Sequence, residues 1–366
     1  MSRSLKVLHV AYMTNPSKGV VKQMLWEQEA ASRLGIAWDC RLYTNDFPES
    51  EVVKSLNVPK SASAIFSYFN IRRAYFNKVE KLAEEYDLVL LRHMMHSVDQ
   101  AAFLRKYGQK VYTVHHTKEL SELRVLLSFP LNYLACFLEL MLGAYSINKS
   151  KGVIAVTEEI LRYELQRICS DLNGKSALIY PNGIAMENIE LEDRREDIPE
   201  IIFVASSFVP WHGLDRLIDS FDGNSSDFVL HIVGNVPERL QRRCCLDARI
   251  KLHGVLEYAE LVSLYEKSWC GISSLALDRK SMSEACTLKT REYLSVGIPV
   301  YSDHIDSALP CGFEFHVVGE ASIGKILEFS KEHRRSSRQL VRERASHYIS
   351  KVKIFEQLYS RLSTNL

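Results

Sequence analysis

Glu284-Ala-Cys-Thr287-Leu288-Lys289-Thr-Arg-Glu292-Tyr-Leu-Ser-Val-Gly297-Ile-Pro299-Val is the most informative run of this chain. It follows an apolar run, Cys270–Ser273, that reads as a buried strand, and then a polar loop over 275–286. Thr287 is placed to cap a helix that ends at Gly297, and Pro299 opens the next strand. Glu284 then sits in the loop ahead of the helix, and Glu292 about one turn inside it. The backbone amides of Thr287, Leu288 and Lys289 point into the space between them, with the positive end of the helix dipole behind. Lys289 adds a formal charge. A carboxylate for polyols, free amides for an anion and a second carboxylate suit a sugar, a diphosphate and a ribose in line. Two glutamates at this spacing often arise by chance; the strand before and Gly-Ile-Pro-Val after make the pattern specific.

Outward from this run, short apolar stretches alternate with amphipathic helical patterns, which predicts parallel sheets with crossover helices. Strands are expected at Ile201–Ala205, Val229–Val233, Lys251–His253, Cys270–Ser273 and Pro299–Ser302, and helices at Gly213–Phe221, Tyr258–Lys267 and Thr287–Val296. The same alternation precedes them: strand Val7–Tyr12, polar loop Thr14–Lys18, helix Gly19–Leu34, then strands Asp87–Leu91, Lys110–Val114 and Gly152–Val156. The pattern predicts an α/β chain of two doubly wound domains, residues 1–183 and 184–340, with a helix over 341–366 packing back on the first. The division falls near Tyr180-Pro-Asn-Gly183, followed by charge-dense Glu190–Asp197, read as a linker or exposed turn.

Composition narrows the function classes. Of 366 residues, 46% are hydrophobic and 25% charged, a globular balance that excludes a disordered chain. Lys+Arg 46 against Asp+Glu 45 leaves +1, so no field marks a nucleic-acid binder. The 8 Cys form no CxxC pair, which argues against a zinc site and fits free thiols in a reducing compartment. The start runs directly into a strand pattern without a secretory signal, so a cytoplasmic protein is expected. The apolar stretch Val125–Ile147 is interrupted by Pro130, Asn132 and Glu139; it reads as a buried helix, with membrane-interface contact as the alternative and a span as a third reading. The tail Ile323–Leu366 is helical and basic, a solvated face or a surface drawn to anionic lipid at the inner face of the cell membrane.

In these motifs the chain resembles the retaining glycosyltransferases of family 4, of the GT-B fold and the bacterial surface-polysaccharide type. The resemblance covers nearly the whole chain and is strongest from Ile201 to Ser302. It implies two Rossmann-like domains facing a central cleft, the first on the acceptor side and the second binding the nucleotide-sugar. Glu284 and Glu292 match the family's E-x7-E signature. By that likeness Glu284 contacts the donor sugar and reaction centre, Glu292 holds the ribose hydroxyls, and amides near Leu288 bind the diphosphate. In Phe203-Val-Ala-Ser-Ser207-Phe-Val-Pro-Trp-His212-Gly213, Ser207 and His212 stand where the family usually carries Arg and Lys. His212 would then donate to a phosphate as a cation below a pKa of ~6.5, or else act as a capping or packing residue. Leu230–Gly234 and Leu252–Gly254 match strands whose ends flank the base. Val111–Glu119 resembles the strand end where the family places a His beside the donor sugar: His115 by register, His116 as the alternative. His93 and His96 are acceptor-side candidates, and Gly19 stands near the family's Gly-Gly pair, where a missing Cβ permits close backbone approach.

The chain has no DxD triplet, no GxGxxG, no GxxxxGK[ST] and no GxSxG. The resemblance implies transfer of a sugar, with retention, from a nucleotide-sugar donor, and the missing DxD leads to the expectation of no metal or other cofactor. The expected acceptor is a glycan or polyprenyl-linked glycan in polysaccharide biosynthesis, with peripheral contact to an anionic membrane and no nucleic acid. Two other readings stand beside it: a GT-B binding subunit that has lost catalysis, and a GT-B sugar-nucleotide epimerase.

Overall fold

Val7-Leu-His-Val-Ala-Tyr12 is apolar at almost every position and has no solvent face to offer, and it lies inside a parallel sheet with buried residues on both sides. The computed structural model describes residues 5–45, 47–59, 63–168, 175–186 and 191–364. Cys169 and Glu190 lie outside these, and the seven described cysteines are free. The chain divides into Met1–Pro181 with Lys351–Leu366, and Asn182–Ser350.

The first unit runs β1 (Val7–Tyr12), α1 (Lys18–Arg33), β2 (Trp38–Thr44), β3 (Val53–Ser55), α2 (Ala64–Ala83), β4 (Leu88–Arg92) and α3 (Val98–Tyr107). It continues through β5 (Val111–His115), α4 (Glu119–Leu126), α5 (Leu131–Lys149), β6 (Gly152–Ala155), α6 (Glu158–Gln166) and β7 (Ser176–Ile179). The second unit holds β8 (Glu200–Ser207), α7 (Leu214–Asp219), β9 (Val229–Asn235), α8 (Glu238–Cys244), β10 (Ile250–Gly254) and α9 (Tyr258–Lys267). After them come β11 (Cys270–Ile272), α10 (Leu288–Ser295), β12 (Val300–Ser302), β13 (His316–Val318), α11 (Ile323–Glu332) and α12 (Arg338–Ile349). The last helix, α13 (Lys351–Thr364), belongs with the first unit.

Both sheets are parallel, ordered β3-β2-β1-β4-β5-β6-β7 and β10-β9-β8-β11-β12-β13. This is the doubly wound α/β architecture expected. The order reverses between β1 and β4, and again between β8 and β11, and ligands bind outside the carboxyl ends of the strands at such switch points.

Four strands were not anticipated. In β2, Asp39 and Arg41 interleave with buried Trp38, Cys40 and Leu42 and hide the apolar run. The others, β3, β7 and β13, have three or four residues each, too short to show a period. The stretch 125–147 is two helices broken at Phe129-Pro130, and α5 is not a buried helix: Cys136, Glu139, Gly143, Ser146 and Ile147 face inward while its large apolar side chains face out. Among the described residues no helix is long and apolar enough to cross a membrane.

The tail is three helices rather than one. It breaks at Ser350, so only Lys351–Thr364, not 341–366, belongs with the first unit. Lys325 pairs with Glu320, Arg344 with Glu314, and Arg338 donates to the carbonyls of Tyr265 and Glu266. The segment 191–197 is likewise pinned to the second unit rather than swinging as a linker, with Arg195 buried against Asp193 and the Ser336 carbonyl.

A buried carboxylate ties α13 to the first sheet. Glu27 of α1 accepts from His9 (2.7 Å), Trp38 (2.9 Å), Tyr180 (2.7 Å) and the Cys40 thiol (3.4 Å), and Lys351 stands 3.4 Å away. Burial alone would raise its pKa; His9 and Lys351 outweigh that and hold it well below the usual carboxylate range. A depressed folded pKa contributes stability that is present above the unfolded value of ~4.3 and is lost as pH falls through the folded value. Glu27→Ala leaves Lys351 buried without a counter-charge. In urea unfolding at neutral pH it is expected to cost the first unit about 3–5 kcal/mol; a loss under 1 kcal/mol would show that Glu27 does not hold the unit together.

Candidate donor site and the histidine network

The carboxyl ends of β8 and β11 lead into the second unit's candidate site residues. Thr287 is the N-cap of α10, and its hydroxyl accepts from the Thr290 amide at 3.3 Å. The hydroxyls of Ser273, Thr287 and Thr290 lie 2.8–3.2 Å from one another, a knot that fixes the helix start against the end of β11. Thr287 therefore works as a cap, which leaves the first-turn amides of Leu288 and Lys289 as the orphan donors of the helix.

Lys289 is the unusual member. Its Nζ is buried without a hydrogen-bond partner and lies 5.2 Å from the centre of the Phe203 ring. Burial pushes its pKa down to about 7, against an upward pull from Glu292. Glu292 and Glu284 are both partly exposed. Glu284 leads the loop into α10 and is bridged to Ile305, whose amide donates to the Ser283 carbonyl at 3.0 Å while its carbonyl accepts from Ala285 at 3.0 Å.

Ser207 ends β8 and is exposed. His212 closes a short 3₁₀ turn, Pro210–His212, where its Nδ1 accepts from the Val209 amide at 3.3 Å, so Nε2 carries the proton. Burial, with Lys289 and Lys280 adding to it, pushes its pKa down to about 2. The expectation of a cationic His212 is thus corrected: it is a neutral donor at physiological pH. Gly213 follows with φ of 72°, and a Cβ there would lie 2.7 Å from the Leu275 backbone, so the turn needs glycine. His231 and His253 belong to another cluster. His231 bridges His253 (2.9 Å) and Glu200 (2.7 Å), the residue that opens β8.

Sequence reasoning missed the groups that hold this constellation in place. Arg291, next to Glu292 and fully buried, forms a two-pronged pair with buried Asp306 and donates through Nε to the Asn182 carbonyl at 3.0 Å. Asn182 in turn donates to the Cys286 thiol sulfur (3.0 Å) and carbonyl (2.7 Å). The loop bearing Glu284 and the helix bearing Glu292 are clamped to one another by this set. The only hint in the sequence was the Pro-Asn-Gly punctuation at 181–183.

In the first unit, His115 at the end of β5 is fully buried. It shares a 2.8 Å contact with Glu119 and stacks on His93 with centroids 4.7 Å apart. Burial drops its pKa to about 3, so it is neutral. His115 is thus sealed from solvent; its neighbour His116 is partly exposed as a residue, yet burial pushes its imidazole pKa well down too. His93 lies within 3.0 Å of Glu139, and the His96 amide donates to the same carboxylate at 2.6 Å. Burial opposes the charged form of His93, and Glu139 more than reverses this, so its pKa is raised; that of His96 is lowered by burial and Arg72. Arg167 donates to Glu139 (2.6 Å) and Glu164 (2.7 Å). Burial lifts the pKa of Glu164 to about 8, and Glu139 stays at about 2 despite burial because His93 and Arg167 face it. His115, Glu119 and Glu164 offer metal-ligand atoms within 4.8 Å of one another, but Arg167 already supplies the cation they share. Gly19, the second residue of α1, follows Ser17, whose hydroxyl caps the Val20 amide at 3.3 Å.

No family model matches the chain, and no curated protein matches it in sequence. Solved structures match along its whole length. The lipopolysaccharide outer core galactosyltransferase WaaB, in its apo form, is 11% identical and superposes over 98% of this chain and 100% of its own, with a TM-score of 0.68. Sucrose-phosphate synthase from Thermosynechococcus elongatus is 14% identical over 99% of this chain and 100% of its own (TM-score 0.68). HepE from Anabaena, in complex with UDP, is 16% identical over 98% and 100% (TM-score 0.67). The fold is GT-B.

Asp306→Ala strands the Arg291 guanidinium in the core and frees the loop bearing Glu284. It is expected to lower the stability of the second unit by about 3–5 kcal/mol, read as a fall in its melting transition. An unchanged melt would show that the clamp contributes nothing.

Proposed function

We propose that the chain is a retaining, metal-independent glycosyltransferase of the family 4 type, moving a sugar from a nucleotide-sugar to a glycan or lipid-linked glycan in polysaccharide biosynthesis. The observation that carries this reading is Lys289: an amine whose Nζ is shut from water with no hydrogen-bond partner, in the first turn of a helix that carries Glu292 and follows the loop of Glu284. A buried ammonium to which no group is hydrogen-bonded, opposed by Glu292 without a hydrogen bond to it, favours an added anion, and a diphosphate supplies one.

As the glycosidic bond breaks, charge grows on the departing diphosphate. The amides of Leu288 and Lys289, the Lys289 ammonium, the Nε2–H of neutral His212 and the Ser207 hydroxyl are fixed dipoles and charge to receive it. Glu292 takes the ribose hydroxyls, and Glu284 the sugar as it passes through an oxocarbenium-like state. The acceptor hydroxyl attacks from the leaving-group face and gives its proton to the departing phosphate. At the end of β5, His116 is partly exposed and His115 is not, so His116 is the first of the two to test against sugar hydroxyls. Because HepE is solved with UDP and with UDP-glucose, uridine diphosphate is the first nucleotide to test. A donor-binding subunit without transfer is the second reading, favoured by the sealing of His115; nucleotide release that depends on added acceptor separates the two.

A thermal-shift panel of UDP, GDP, ADP and CMP tests the donor site. The right nucleotide at about 100 times its Kd adds ~2.7 kcal/mol of stability; silence from all four refutes the assignment. Lys289→Met is expected to lower turnover by a factor on the order of 10²–10³, Glu292→Ala to weaken nucleotide binding, and Glu284→Ala to lower turnover mainly. Since the bound diphosphate favours protonated Lys289, affinity is expected to fall by up to about tenfold per pH unit above about 7. Lys289→Met should flatten that profile.

A further inference from the structure

β4 is buried from Leu88 to Leu91 and then ends in a charge. Arg92 closes the strand where the order of the first sheet reverses between β1 and β4. Its guanidinium is taken largely out of water, and among the described residues it makes no hydrogen bond and no ion pair. Burial lowers its pKa against the pull of Glu122, Glu119 and Tyr75, yet a guanidinium keeps its proton at any physiological pH. Lys289 can shed a charge that burial penalises, and Arg92 cannot. Two further donors on α2 lack acceptors. Arg72 and Tyr75 stand one turn apart, and the Arg72 Nε and the Tyr75 hydroxyl are both buried with no hydrogen-bond partner. Tyr75 is fully buried, feels the charge of Arg92, and has its ring 5.8 Å from that of Tyr12 at the end of β1. No acid is bonded to either arginine among the described residues. Glu119 is engaged with His115 at 2.8 Å and stands 3.6 Å from Arg167, while Glu122 and Asp99 act on Arg92 and Arg72 only at a distance.

We propose that Arg92, with Arg72 across Tyr75, receives an anionic group on the acceptor, a carboxylate or a phosphate monoester, so that the sugar accepting transfer is an acidic one. That this ligand is the acceptor rests on the transferase reading; the binding of an acidic sugar does not. Chemistry selects the anion. A planar guanidinium offers two parallel N–H donors to two oxygens of one carboxylate or phosphate, and the charge taken out of water finds its counter-ion in the same contact. A neutral hydroxyl accepts one hydrogen bond and leaves the charge uncompensated. Position selects a sugar as its carrier. Arg92 lies close enough to His116 for its charge to help hold that imidazole's pKa down, and His116 is the strand-end ring to test first against sugar hydroxyls. The donor's own diphosphate is assigned to Lys289 of the second unit, which leaves this other cationic cluster for the second substrate.

The test is ligand-observed NMR of the full chain with glucuronate, glucose 6-phosphate and glucose, each without nucleotide. At least one acidic sugar is expected to bind about tenfold or more tighter than glucose, and the tighter of the two identifies the group as carboxylate or phosphate. Arg92→Met should bring that sugar down to the level of glucose, and Arg72→Met should weaken it in the same direction. Without ligand, Arg92→Met is expected to melt no lower than the wild type, since it removes a buried charge that no group is bonded to. A purely structural arginine would lower the melt and leave sugar binding alone. The proposal is overturned if neither acid binds more tightly than glucose, or if both arginine variants bind it as the wild type does. Binding lost in Lys289→Met instead would belong to the diphosphate site and overturns it equally. Failure of the transferase reading looks different: acidic sugars bind through Arg92, and no nucleotide-sugar is turned over in their presence.

Discussion

Keeping an ammonium group out of water without a carboxylate or carbonyl to receive it is costly, and Lys289 is kept in that state. The cost shows in a pKa drawn down to about 7, and it is sustained by everything around the first turn of α10. The hydroxyl knot of Ser273, Thr287 and Thr290 sets where the helix begins. Phe203 gives the amine a neighbouring π face, and the Arg291–Asp306 pair anchors the helix next to Glu292. Ser207 and His212, which stand where the resembled family usually carries Arg and Lys, bear no charge at neutral pH. The positive charge of this pocket therefore comes from the helix rather than from the loop after β8, and the neutral His212 is partly a consequence of Lys289 standing near it.

The first unit uses buried charge in the opposite manner. Around Glu27 every donor is satisfied and the carboxylate is stapled from several elements, including the last helix of the chain. Around Glu139 the partners are the histidines of the loop after β4 and Arg167, the C-cap of α6. Turning its single acid inward strips α5 of negative charge on the outside, so the same side chain that organises the histidine loop also makes the outer face apolar and cationic. His96 stands at a φ of 44°, an uncommon left-handed conformation for a residue other than glycine, with its amide held by Glu139.

Much of this was readable from residues alone. β1, β4, β8 and β9 are apolar on both faces because their sheets are covered on both sides, and that pattern survives in a bare sequence. The helix of Glu292 was legible from a capping Thr and a closing Gly. What was hidden has physical reasons. Composition shows that 125–147 is apolar but not which side a helix turns inward, and here a cluster of polar partners, not apolar packing, claimed the inner side. Adjacent residues at a strand end point to opposite faces, so His115 and His116 differ by one step of register that no spacing resolves. The charge state of His212 depends on Lys280 and Lys289, and the clamp of Arg291 needs Asp306 and Asn182; such contacts exist only once the chain is folded.

Calorimetry reaches the central claim most directly. The nucleoside diphosphate that binds most tightly is titrated into the full chain at pH 8 in two buffers of different ionisation enthalpy, and the difference in heat counts the protons taken up. With Lys289 mostly neutral beforehand and charged against the bound phosphates, uptake of nearly one proton is expected in the wild type and none in Lys289→Met. Tight binding with the same heat in both buffers would contradict it, because Lys289 would then not be the group that meets the diphosphate.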